Sequence, residues 1–280
     1  MKELKVFYAK IDNMGDLLNE LIIEKVFGYK VKCSNRYTCE TTGIGSGLNM
    51  FFPEKAEMAY FPKNLLQRTY AKLNSPLQVW STGFIKYPKK EDNICMRREN
   101  NIASVRGELT KKRLEKILNK NLKIPTGDGG LLASCLLEGK IEKKYNIGII
   151  PHFRERNELR FKQLQLKYEN STLIDLTEDP MDVVKKISEC EHILSSSLHG
   201  LIVADSFNIP NKRIVYSDKP LGDGYKYDDY YSAFNISVEP YNINNDKYPS
   251  INNIIDDYKV NKKDVDLKKE DLITSFTKFL

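Results

Sequence analysis

The chain has no uninterrupted apolar run near the roughly 18 residues that a membrane-crossing helix needs. Its first ten residues, Met1-Lys-Glu-Leu-Lys-Val-Phe-Tyr-Ala-Lys10, alternate charge and bulk as a strand does and lack the apolar stretch of a signal peptide. A cytoplasmic protein is therefore expected. Cysteine is sparse and unpatterned: Cys33, Cys39, Cys95, Cys135 and Cys190 are odd in number and include no Cys-x-x-Cys pair. That argues against a disulfide framework and a zinc site, and predicts reduced, mostly buried thiols. There are three histidines, His152, His192 and His199, and no His-Glu-x-x-His, no serine nucleophile elbow and no P-loop ending in Lys-Ser/Thr. No catalytic metal or cofactor is expected. The net charge of +6 is spread over many lysines, without a dense basic tract interleaved with aromatics, so nucleic acid is not an expected partner. The excess suits anionic small substrates, or a negatively charged membrane face carrying lipid-linked sugars.

What is present is a foldable α/β pattern. With 280 residues, 41% hydrophobic and 29% charged, the chain can bury a sizeable core, and its length suits two domains. Strand-like segments at Leu4 to Ile11, Tyr29 to Cys33, Leu77 to Trp80 and Asn101 to Arg106 alternate with helical spacing at Leu17, Leu21, Ile22 and Phe27 and over Glu108 to Leu118. After a charged stretch, Glu138 to Lys144, a second series follows. Strands are predicted at Asn146 to Ile150, Thr172 to Leu176, His192 to Ser196 and Arg213 to Ser217. Helices are predicted over Glu158 to Tyr168, from Asp179-Pro180 onward, and over Leu198 to Phe207. Such alternation predicts parallel sheets covered on both faces. The expected architecture is two Rossmann-like lobes, residues 1–140 and 141–262. Residues 263–280 form a helix packing back on the first lobe through Leu267, Leu272, Ile273, Phe276 and Leu280.

In open α/β sheets, ligands sit beyond the carboxyl ends of the strands, which singles out four turns. Ser195 to Gly200 joins a strand to an apolar helix, placing Ser196 and Ser197 where backbone N–H groups would hold an anion and His199 in the first helical turn. His199 reads as a solvent-side proton donor or acceptor, or as a histidine satisfying a local hydrogen bond. His192 reads as structural. His152 is followed by Arg154 and Arg156, a grouping suited to phosphate or carboxylate, or a solvated loop. Arg106 precedes Gly107 and a helix, and reads either as an anion ligand or as the partner of a nearby carboxylate. Asn13, Gly15 and Asp16 form the first strand-to-helix turn, where Asp16 alternatively serves as the N-cap. Gly43-Ile-Gly-Ser-Gly47 is read as a tight turn, and Asp228-Asp229, among tyrosines, as surface.

Taken together, these turns resemble the polysaccharide pyruvyl transferase family, in particular its succinoglycan-ketolase-like branch. The residues carrying the likeness are Asn13-Met-Gly-Asp-Leu-Leu-Asn19, Gly43-Ile-Gly-Ser46, Val79-Trp-Ser-Thr-Gly-Phe84, Ser104-Val-Arg-Gly-Glu-Leu-Thr110 and Gly127-Asp-Gly-Gly-Leu-Leu132. It continues through Ile147-Gly-Ile-Ile-Pro-His152, Ser195-Ser-Ser-Leu-His-Gly200 and Lys226-Tyr-Asp-Asp-Tyr230. The resemblance implies a GT-B-like fold, phosphoenolpyruvate as co-substrate, and a saccharide acceptor, in free or lipid-linked form, of an exopolysaccharide or capsule precursor at the inner membrane face. It implies donor binding by Leu198, His199 and Arg106. To these are added Ser196, Ser197, Gly200, Arg154 and Lys226 for the donor, and Asn13, Gly15, Asp16 and Asp128 for the acceptor. His199 is expected as the main acid/base, with His152 assisting. Some relatives carry Arg at the position of Ser197 and Gly at that of Ser81, so Arg106, Arg154 or Lys226 would have to supply the missing fork. Two rival readings stand beside this one: a nucleotide-sugar glycosyltransferase, and a non-catalytic glycan-binding subunit of an assembly complex.

Overall fold

The computed structural model describes residues 1–55, 76–90, 93–95, 100–244 and 247–278. The chain builds two five-stranded sheets in which every pairing is parallel. The first contains β1 (Glu3–Phe7), β2 (Lys30–Cys33), β3 (Thr41–Thr42), β4 (Leu77–Val79) and β5 (Asn100–Ile102), in the order β2-β1-β3-β4-β5. The second contains β6 (Tyr145–Ile150), β7 (Ser171–Leu173), β8 (Cys190–Ser195), β9 (Asn211–Val215) and β10 (Tyr241–Asn242), in the order β10-β9-β8-β6-β7. In each sheet the chain leaves its first strand to one side and then returns to the other. The neighbouring strands β1 and β3, and likewise β6 and β8, therefore flank a topological switch point, where the connecting turns diverge and leave a crevice.

The helices follow the apolar spacing. After β1, α1 (Met14–Lys25) buries Met14, Leu18, Ile22 and Ile23, and Gly28 at φ 73° turns the chain out of the helix. The helix α2 (Glu108–Leu118) has the bounds that its spacing predicted. Between β6 and β8 lie α3 (Leu159–Gln165) and α4 (Pro180–Ser188). The Asp179 carboxylate caps α4 by accepting from the N–H groups of Met181 and Asp182, with proline at the first position. Beyond β8 come α5 (Leu198–Ser206), α6 (Tyr225–Ser232), α7 (Ile251–Asp257) and α8 (Lys262–Thr277). The segment Gly129–Leu136 is a 3-10 helix whose first turn is capped by Asp128.

The two sheets share a core. Leu4, Val6, Leu18 and Ile22 of the first part, Leu131 and Leu132 of the 3-10 helix, and Ile150, Ile193 and Leu201 of the second belong to one buried cluster. The start of α1 is fixed across this junction, since the N–H of Met14 donates to the carbonyl of Leu176 (2.7 Å). The helix α8 lies against the first sheet's side of the core. Trp80 Nε1 donates to the carbonyl of Leu272 (3.0 Å), and the Phe276 ring stacks on Phe27 (3.9 Å) and meets Trp80 edge-on. Val265, Leu272 and Phe276 are its buried residues, whereas Leu267, expected in that stripe, is exposed; Leu280 lies outside the described residues. The cysteines also differ from expectation. Only Cys39 and Cys190 are buried, Cys33 and Cys95 are half-buried, and Cys135 is exposed. Among the described residues, no helix is long and apolar enough to cross a membrane.

Because Phe276 is nearly fully enclosed by Phe27, Tyr29 and Trp80, Phe276→Ala should destabilise the protein by about 3–5 kcal/mol, the range for emptying a buried aromatic site. Urea unfolding followed by tryptophan fluorescence reads this directly; a loss below about 1 kcal/mol would mean that α8 is not an integral part of the core.

Candidate active site between the two sheets

Both switch points open into one cleft of about 350 Å³. From the first sheet it receives the turn after β1, with Asn13 and Asp16, and the turn after β3, with Gly45, Ser46 and Gly47. From the second it receives His152, Phe153 and Arg154 after β6, and Ser197, Leu198 and His199 after β8. Lys226, near the start of α6, completes the wall.

On the first side, Asn13 and not Asp16 occupies the N-cap position of α1. The Asn13 amide donates to the Asp16 carboxylate (2.7 Å), so these two polar side chains fix one another at the cleft wall. Burial raises the Asp16 pKa, opposed by the Asn13 hydrogen bond and by the charge of Lys226. Gly15 lies directly against the His199 ring, and a side chain there would overlap Nδ1. The tight turn after β3 has Gly45 at φ 112°, and its carbonyl accepts from Thr82 Oγ1 (3.1 Å).

On the second side, Ser195, Ser196 and Ser197 have separate tasks. Ser195 Oγ donates to the carbonyls of Ile150 (3.1 Å) and Ser197 (2.9 Å). Ser196 Oγ donates to Glu155 Oε2 (2.6 Å) and accepts from the N–H of His152 (2.8 Å). The backbone N–H groups of Ser196 and Ser197, expected to be free to hold an anion, are instead committed; they donate to the Ile150 carbonyl and to Ser195 Oγ. The donors that begin α5 are those of Leu198, His199 and Gly200, which as first-turn groups have no intrahelical acceptor. Ser197 lines the cleft, while Ser196 faces an adjoining hollow.

The titratable groups share one electrostatic pattern. His152 Nδ1 accepts from the N–H of Arg154 (3.3 Å), so the neutral ring carries its proton on Nε2. Burial first, then the charges of Lys226 and Arg154, push His152 down to about 3. His199 is likewise pushed down to about 3, by burial first and then by Lys226, Arg106 and His152. It is thus not the solvated imidazole that its place in the sequence suggested. Its Nε2 is buried with no hydrogen-bond partner among the described residues. Lys226, 9% exposed, is lowered to about 8 by burial, then by Arg106 and Arg213, with Asp16 opposing. No hydrogen bond or ion pair holds its ammonium among the described residues, and Arg154 is an exposed cation at the cleft wall. Two neutral imidazoles and two cations with room between them can receive an anion and move a proton.

Arg106 and Asp128 do not line this cleft. Arg106 is completely buried, and its guanidinium is already occupied: Nε donates to Asp229 (2.9 Å), one terminal nitrogen to Ser46 Oγ (2.7 Å) and the Gly45 carbonyl (3.3 Å), the other to the Phe84 carbonyl (2.6 Å). Of the two readings open for it, the geometry matches the partner of a carboxylate. Asp229, read from its tyrosine-rich surroundings as surface, is fully buried and also accepts from the N–H and hydroxyl of Thr110 (both 2.7 Å). Asp128 Oδ1 accepts from the N–H of Gly130 (2.9 Å), and burial pushes the acid up to about 7. His192 sits half-buried beside the carbonyl of Asn146, and Arg156 turns back onto the Phe153 carbonyl. Sequence reasoning passed over Glu155, which lies between two arginines and looks solvated. It is completely buried, with one oxygen on Ser196 and the other on Ser217 (2.6 Å each). Among the described residues, no three His, Cys, Asp or Glu side chains form a potential metal site.

The polysaccharide pyruvyl transferase family model matches residues 45–218, more than half of the chain. The chain belongs to that family. The matched span includes Arg106, His152, Arg154 and the Ser195 to Gly200 turn, and stops short of Lys226. The chain is also 31% identical over 252 residues to an uncharacterized protein of Acanthamoeba polyphaga mimivirus, covering 86% of this chain and 77% of that one. Membership makes this pyruvyltransferase one that acts on polysaccharide; of the turns that carry the likeness, those with Asn13 and Asp16, Gly45 and Ser46, His152, and Ser197 to His199 line the cleft. Ser81 adopts φ 60°, the left-handed conformation that glycine takes without steric cost.

Since Asp229 would be left as a buried, uncompensated carboxylate, Arg106→Met should lower the unfolding free energy by about 3–5 kcal/mol. Urea denaturation of the variant measures it; unchanged stability would release Arg106 from this structural role.

Proposed function

We propose that this pyruvyltransferase moves the enolpyruvyl group of phosphoenolpyruvate onto a hexose of an exopolysaccharide or capsule precursor, forming a ketal and releasing phosphate. In this reading the two sheets act as the lobes of a GT-B-like enzyme working on the cytoplasmic side of a membrane. The observation that carries it is the convergence, in one cleft, of His199 and His152 held neutral, Lys226 without an ion-pair partner, and Arg154 at the wall. The cleft's 350 Å³ is near the lower end for small-molecule sites, which favours a three-carbon donor with one sugar ring over a nucleotide sugar.

Lys226 and Arg154 take the place of the arginine that some relatives have at Ser197. They bind the donor's phosphate and carboxylate, assisted by the N–H groups at the start of α5. Burial chiefly keeps His199 deprotonated, aided by the cationic field; the arriving negative charge offsets that field, so its affinity for a proton rises on binding. His199 delivers that proton to the methylene carbon, leaving an oxocarbenium-like C2. One sugar hydroxyl attacks C2 and returns its proton to the imidazole. The neighbouring hydroxyl then displaces phosphate, which leaves with the second proton as the ketal closes. Asn13 and Asp16, facing this centre across the cleft, are the acceptor's hydrogen-bonding partners. Lys226 and the cationic wall stabilise charge on the departing phosphate.

His199→Asn should fold as the parent does and lose at least about a hundredfold in turnover, the scale of a positioned acid/base group. Coupled assay of phosphate release with melting curves alongside checks this; full turnover would remove His199 from the mechanism. Donor affinity should also depend on pH through Lys226. The ammonium is charged below about 8, so affinity should hold at neutral pH and fall above that value, approaching about tenfold per unit. Lys226→Gln should flatten this dependence in calorimetric titrations with phosphoenolpyruvate from pH 6 to pH 10, and a parent protein with no fall above pH 8 would contradict the assignment.

A further inference from the structure

A second hollow, of about 270 Å³, adjoins the cleft and shares Leu221 and Lys226 with it. Its polar lining includes Glu155, Ser196, Ser217 and Arg213, and the start of α6 at Gly224. Arg213 projects from β9, its guanidinium carbon 3.8 Å from the Tyr227 ring centroid. Its Nε is buried and without a partner, and the side chain forms no ion pair among the described residues. The neighbouring Lys226 is also unpaired, and Arg213 is one of the charges that depress its proton affinity.

The carboxylates nearby are committed elsewhere. Both Glu155 oxygens accept serine hydroxyls, and Asp223 accepts the N–H groups of Tyr87 and Tyr225. Asp218 is exposed. Two like charges brought together repel, Asp16 offsets this only in part at Lys226, and a bound anion converts the repulsion into attraction. The aligned dipoles of α6 add a favourable field at the same point. A phosphoryl group, with oxygens directed to several sides, can meet the arginine fork and the ammonium together.

From this we infer that the hollow is a second anion subsite, holding a phosphoryl group between Arg213 and Lys226 and adjoining the donor cleft, with which it shares Lys226. Its occupant is either the phosphoryl link of an acceptor sugar or the phosphate leaving the donor; this choice rests on the proposed reaction, whereas the subsite itself does not.

Isothermal titration with inorganic phosphate, a hexose 1-phosphate, the neutral methyl hexoside and phosphoenolpyruvate tests it, using the parent, Arg213→Gln and Arg213→Lys. Inorganic phosphate should bind the parent and lose at least about tenfold in affinity in Arg213→Gln, the loss of one charge-assisted hydrogen bond, with partial rescue by Arg213→Lys. Phosphoenolpyruvate affinity should change little, because Arg213 does not line the cleft. A hexose 1-phosphate binding tighter than both inorganic phosphate and the methyl hexoside assigns the subsite to the acceptor; equal affinity for the two phosphates assigns it to the leaving group. Arg213-dependent phosphate binding in a parent that does not bind phosphoenolpyruvate upholds the subsite and overturns the donor reading. Unchanged phosphate affinity in a folded Arg213→Gln, or equal loss of phosphate and phosphoenolpyruvate, overturns the subsite.

Discussion

The buried ion pair between Arg106 and Asp229 is the constraint on which the cleft depends. It joins the turn after β5 to α6, the helix that presents Lys226 and Tyr227. Charges removed from water at this depth persist only when their remaining hydrogen-bonding groups are also satisfied. Here the carbonyls of Gly45 and Phe84, the Ser46 hydroxyl and Thr110 provide that. Gly83 and Gly107 make the approach feasible, since a side chain on either would strike the guanidinium or the Asp229 backbone. By accepting on its own carbonyl, Gly45 also ties the turn after β3 to the same clasp, so one ion pair sets both a wall of the cleft and the helix opposite.

That clasp has an electrostatic consequence beyond its contacts. The Arg106 charge reaches Lys226 and His199 from outside the cleft and helps lower the proton affinity of both. Burial contributes more than any single charge at each of these groups, because the two sheets close over them. In the proposed reaction, an anionic donor entering the cleft would offset this positive potential and raise the proton affinity of the histidines.

Much of the fold was readable along the chain. The apolar strands β6 and β8, the Asp179-Pro180 start of α4 and the bounds of α2 all follow from local rules of periodicity and capping. Where an element is short or mainly polar, those rules fail. The two-residue strands β3 and β10 carry too little pattern, and α6 is a helix of tyrosines and charges whose buried face is defined only by what it packs against. The same limitation explains Leu267: helical spacing marks a stripe, while the neighbouring Val265 is the residue that meets the core.

The sequence by itself determined the α/β class, the parallel sheets and the turns where ligand-binding residues gather, because strand and helix periodicity and the chain's exit from each strand are local properties. It also carried the family's motifs. Only the tertiary structure decided which charged groups are available for chemistry. Arg106 and Arg154 are both arginines in turns after strands, yet one is enclosed by four oxygen acceptors and the other lines the cleft. Asp228 and Asp229 are adjacent, and one is exposed while the other is buried in an ion pair. Availability depends on partners distant in sequence and on the dielectric that packing creates, and neither is written in the spacing of residues along the chain.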